Sequence, residues 1–102
     1  MNKQSGDISE LVKEHVQALD PYAEVVLLFP QGVSIHEDIQ IYVLSNEKVD
    51  FRLEQQYLDA KYQVELLSGQ SISLYLYSKS DWHKQFKDTP IYQKVSGEGV
   101  YL

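Results

Sequence analysis

Val25 to Leu44, VVLLFPQGVSIHEDIQIYVL, is the stretch whose reading decides the fold. Val25 to Phe29 is an unbroken apolar run, short enough for a buried strand and too short to span a membrane. Pro30 to Glu37 reads as a loop, and Asp38 to Leu44 as a second strand. In that strand Ile39, Ile41 and Val43 alternate with Asp38, Gln40 and Tyr42, and side chains of a strand point to opposite faces with a period of two. Asp38 and Gln40 therefore share a face. That is the layout of a two-carboxylate metal site, with an amide in the second position.

Working outward, the chain before this unit carries Asp7 and Glu10 in the pattern of a capping box, followed by Ile8, Leu11, Val12, His15, Val16 and Leu19 at helical spacing. Asp20-Pro21 ends that helix, because proline disfavours a helical residue before it. His15 belongs to the edge of the packed stripe. After the second strand, a helix is expected from near Glu47 or Lys48, with Leu53, Tyr57, Ala60, Val64 and Leu67 on one face and a break at Ser68-Gly69. Ile72, Leu74 and Leu76 alternate with Ser73, Tyr75 and Tyr77, a third strand. Ser78 or Ser80 caps a short helix in which Trp82 and Phe86 lie four apart. Thr89-Pro90 starts a last helix that Gly97 and Gly99 end, and Val100 to Leu102 form an apolar tail.

The order predicts an α+β fold: a small mixed sheet of three to four strands with helices packed on it. Strands one and two should be antiparallel neighbours, with a helical crossover leading to the third. At 102 residues, with no repeat or linker, residues 1–102 read as a single domain. The chain contains no cysteine, which fits a reducing compartment. MNKQSGDISE lacks the apolar core of a secretory signal, so a soluble, cytoplasmic protein without a membrane segment is expected. A net charge of −6 with one arginine, Arg52, disfavours a large nucleic-acid interface, because such binding rests on neutralising phosphates. It does not disfavour a nucleotide, whose charge a divalent cation can balance.

Two stretches together resemble the minimal nucleotidyltransferase family, whose domains have the polymerase-beta-type nucleotidyltransferase fold. LLF, a loop and EDIQIYVL resemble that family's L-F-G-S loop and S-D-I-D-L-L-V strand. SGQSISLYLYSKSDWHKQFKDTPIYQKVSGEGVYL resembles the tail of one bacterial branch, with Tyr-Ser-Lys, an acid and Trp, Thr-Pro, an aromatic and a final Glu-Gly-Val. The likeness spans about residues 25–102. It implies that Pro30, Gln31 and Gly32 stand where the family's Gly-Ser loop holds a triphosphate, and proline can neither donate an amide nor take glycine's conformations. It implies that Asp38, Gln40 and Ser73 stand at the family's three acids, so two of the three are substituted. Asp38 is then the one carboxylate left to hold Mg²⁺.

Transfer by two metal ions needs acids that share the ions' charge, and a neutral amide cannot supply it. The resemblance therefore implies a degenerate site on a nucleotidyltransferase-like protein kept for binding. Small helical proteins pair with the family in toxin-antitoxin systems, in which the family supplies the antitoxin half; the resemblance therefore implies an antitoxin-like chain whose expected ligand is a small helical protein, or a nucleotide. The alternatives are an active enzyme moving a nucleotidyl group from a Mg-nucleoside triphosphate to a protein or small acceptor, and a self-associating structural domain. The tyrosines, eight in all, fit either an ordinary core edge or an interface, since Tyr joins apolar area to a polar tip. His36, Glu37 and Asp38 in sequence do not make a metal site, because neighbouring strand residues point apart. No serine lies in a nucleophile-elbow pattern.

Overall fold

The structure, a computed structural model, describes residues 4–30 and 38–102, with side chains from residue 8 onward. Eight elements follow in order: α1 (Gln4–Leu19), β1 (Glu24–Leu28), β2 (Ile39–Ser45), α2 (Phe51–Ser68), β3 (Ile72–Ser78), α3 (Lys79–Gln85), α4 (Pro90–Glu98) and β4 (Val100–Tyr101). The expected α+β class holds: the strands form one mixed sheet of four in the order β3-β2-β1-β4. β1 pairs antiparallel with β2, as their short connection requires, and β3 lies parallel to β2 after the α2 crossover.

Each sheet face is closed by its own helices. Val25, Leu27, Ile39, Ile41, Val43 and Ile72 meet Ile8, Val12 and Val16 of α1 and Leu53, Tyr57 and Val64 of α2 in one core. On the opposite face Val26, Leu28, Tyr42 and Leu44 meet Trp82 of α3 and Val95 of α4. The centre of β2 is thus buried on both sides, and each large apolar side chain so buried contributes about 1.5–3 kcal/mol.

Local chemistry fixes the ends. Asp50 accepts the Leu53 amide at 2.8 Å and caps α2, so that helix starts at Phe51, later than the expected Glu47 or Lys48: a side-chain cap outweighs helical propensity in the turn before it. Gly69 stops it in a left-handed conformation (φ 71°) that other residues rarely adopt. Between these ends α2 runs unbroken from Phe51 to Ser68. Ser78 rather than Ser80 caps α3, and Thr89 caps α4 with Pro90 in its first turn. α1 begins at Gln4, ahead of the expected cap at Asp7, since no proline in that stretch bars a helix. The tail is a strand: Val26 faces Tyr101, and the Leu102 amide donates to the Val25 carbonyl at 3.0 Å. Among the described residues no helix is long and apolar enough to cross a membrane.

Candidate functional site

The face of the sheet that carries α3 and α4 is only partly covered. Its far end, where β2 and β3 begin and β1 ends, holds the polar residues. Asp38, Gln40 and Tyr42 follow one another on this face at a spacing of two, and Gln40 is register partner to Ser73 on β3 and to Leu28 on β1. The Ser73 hydroxyl donates to the Asp38 carboxylate at 2.8 Å. The Tyr42 hydroxyl donates to Gln40 Oε1 at 2.6 Å. Asp38, Gln40 and Ser73 thus come together on neighbouring strands, as a carboxylate, an amide and a hydroxyl in two hydrogen-bonded pairs, Ser73 with Asp38 and Tyr42 with Gln40.

Tyr42 is the member that the sequence does not single out, although the i, i+2 spacing from Gln40 places it on the same face. It is buried, and burial pushes its hydroxyl up to about 12, with Tyr75 and Tyr77 adding to the shift. It therefore stays protonated and keeps donating to Gln40. Tyr42 stacks on Tyr75 with ring centroids 5.0 Å apart, and Trp82, Tyr77, Phe86 and Tyr92 continue the rings behind it. This aromatic block separates the polar end from α4.

Pro30 lies two residues beyond Leu28, next to the start of the polar end. Gln31 and Gly32, the rest of the expected phosphate loop, lie outside the described residues, as do His36 and Glu37. His15 bonds its own helix through the Leu11 carbonyl at 2.8 Å, and His83 is exposed beside the Tyr92 hydroxyl at 3.0 Å. Neither joins the site. Several of the tyrosines stand open to solvent, Tyr22, Tyr62 and Tyr101 by half or more, but they are scattered over the surface.

Chemically, the cluster offers one carboxylate and two neutral oxygens. Among the described residues no group of three or more His, Asp or Glu side chains converges as a metal cage. The donor set does not fit a pair of divalent ions, which needs shared acids; a single Mg²⁺ held by one carboxylate, phosphates and water is the most that it matches. Neither a scan of protein-family models nor searches of curated proteins and of solved structures returned a match.

Proposed function

We propose that the chain is a nucleotidyltransferase-like domain whose transfer site has decayed, and that it acts as a binding protein. One observation carries this reading: the Ser73 hydroxyl donates to Asp38 at the position where the resemblance expects a third acid. A carboxylate there would repel Asp38 unless a cation lay between them. The hydroxyl satisfies Asp38 without one. Beside it Gln40 accepts from Tyr42 and brings no charge. What remains can recognise a ligand by hydrogen bonds and a single negative charge, and it lacks the means to stabilise a transferring phosphoryl group. The partner class is a small helical protein, in an antitoxin-like pairing.

Titration calorimetry with Mg²⁺ and each nucleoside triphosphate, together with a labelled-nucleotide transfer assay, tests this. The expected result is no transferred label, and nucleotide binding that is absent or millimolar. Micromolar binding that needs both Mg²⁺ and Asp38, lost in Asp38→Ala, would revive the enzyme.

A further inference from the structure

The free edge of β3 adjoins the Asp38 site at Ser73, but its main-chain groups can pair without using Asp38 or Gln40. Among the described residues β3 pairs only with β2, so its other side is an open strand edge. Proteins blunt such edges with charges, prolines, bulges or covering elements, because unpaired amides and carbonyls are a template for another strand. ISLYLYS, seven residues long, contains no charge, proline or glycine.

The direction of its main chain can be worked out. The Ile39 amide donates to the Ser71 carbonyl at 3.2 Å, so Ser71 faces β2, and the period of two turns Ser73 and Tyr75 the same way. Ile72, Leu74 and Leu76 then aim their main-chain groups outward. The Ile72 amide is answered within the chain, donating to the Glu65 carboxylate at 2.9 Å. Among the described residues Leu74 and Leu76 have no such cap. They line an open groove of about 510 Å³ whose other wall is α2, through Glu54, Leu58 and Lys61.

We propose that a second copy of this chain fills this groove, pairing β3 antiparallel with its own counterpart about a two-fold axis through Tyr75. Leu74 then lies opposite the partner's Leu76, and each such pair exchanges both of its main-chain hydrogen bonds. Two sheets of four strands become one continuous sheet.

Charge selects this occupant. Glu65 is pinned at Ile72, and three residues of strand from there to Tyr75 cover roughly 10 Å at about 3.3 Å each. That length is about seven residues of helix at roughly 1.5 Å each. Counted back along α2, which runs opposite to β3, it ends at Leu58. Glu54 and Lys61 flank Leu58 on one stripe, one on each side. The two-fold that pairs the strands therefore sets Glu54 against the partner's Lys61, and Lys61 against the partner's Glu54. Lys61 now lies 4.0 Å from its own Glu65, a weak pair from which it can be shared. On the other face Tyr75, stacked on Tyr42 and 40% exposed, meets the partner's Tyr75.

Sedimentation velocity of the full chain over a concentration series tests this. The wild type should sediment as a species of twice 11.8 kDa. Glu54→Lys or Lys61→Glu alone should weaken association by about tenfold or more, because each puts like charges across the axis. Combining them should restore it, and Tyr75→Lys should abolish it. Circular dichroism confirms that each variant is folded. A monomer at every concentration overturns the proposal and leaves the edge to a foreign strand. So does a dimer indifferent to these substitutions, or a double variant no tighter than its parents.

Discussion

Gln40→Glu exchanges one nitrogen for oxygen and leaves the side chain's shape alone, so it asks directly whether the polar end of the sheet is a metal site short of one charge. Asp38 and residue 40 are two positions apart on a strand, roughly 6.6 Å at about 3.3 Å per residue. Two negative charges at that distance repel by about 2.5 kcal/mol at an effective dielectric of about 20, and by about 0.6 kcal/mol in water. The site is part-exposed, so a loss of about 1 kcal/mol without metal is expected, softened by the Tyr42 hydroxyl, which would now donate to a carboxylate. Mg²⁺ at about ten times its dissociation constant should return about 1.4 kcal/mol. For a chain of this size each kcal/mol moves the midpoint by about 4–8 °C.

The assay is a thermal melt, with and without Mg²⁺, followed through Trp82. That residue is the sole tryptophan and is buried in the layer beside the site, so its emission reports the relevant unfolding. Wild type should ignore Mg²⁺ and the variant should gain several degrees. If Mg²⁺ leaves both melts unchanged, the geometry assigned to Asp38 and Gln40 as neighbours on a would-be metal site is refuted. An equal gain in the wild type refutes the claim that the site is short of charge.

Trp82→Ala should cost about 3–5 kcal/mol, the range for emptying a buried aromatic site, because Tyr42, Tyr77, Phe86 and Tyr92 all pack on this ring. Urea unfolding followed by circular dichroism checks it, and a loss under about 1 kcal/mol would mean that α3 and α4 do not rest on the sheet as described. Gly99→Ala should destabilise by about 1–3 kcal/mol: an added Cβ falls 2.5 Å from the Val95 carbonyl oxygen, a main-chain atom that cannot yield cheaply. The same melt reads it, and a neutral result would show that α4 and β4 can part. In an alkaline absorbance titration, Tyr42 and Tyr57, both raised to about 12 mainly by burial, should ionise after the exposed tyrosines. Their folded values lie above the unfolded value near 10, so the stability that they contribute is fully present below pH 10 and is lost as pH rises through about 12. Two tyrosines titrating late, together with unfolding, is the expected trace.

The elements legible in the sequence are those with a strict period or a distinctive stop. Ile72 to Tyr77 alternates cleanly and is a strand; Thr89-Pro90 and Ser68-Gly69 bracket helices where they should. The tail is not legible as a strand, because its strand character comes from pairing with β1, a contact distant in sequence, and two residues carry no period of their own. The start of α2 escapes a local reading because Asp50 outcompetes an earlier turn. At the site, the strand alternation is enough to put Asp38 and Gln40 together. That Ser73 reaches Asp38 depends on the register of a parallel pair separated by a whole helix, which no local pattern encodes.

Ser73 stands where these two surfaces touch. Its hydroxyl is turned inward, to Asp38 on the sheet face, while its neighbours Leu74 and Leu76 turn their main chain outward to the open edge. A strand with an acid in place of Ser73 would set a charge next to that edge, and charge is one of the devices by which proteins keep edges from pairing. An acid at position 73 would therefore do two things at once: add a second carboxylate to the face and a deterrent to the edge. Ser73→Asp should accordingly weaken self-association as well as unsettle Asp38, and a dimer unmoved by it would mean that the two surfaces are independent.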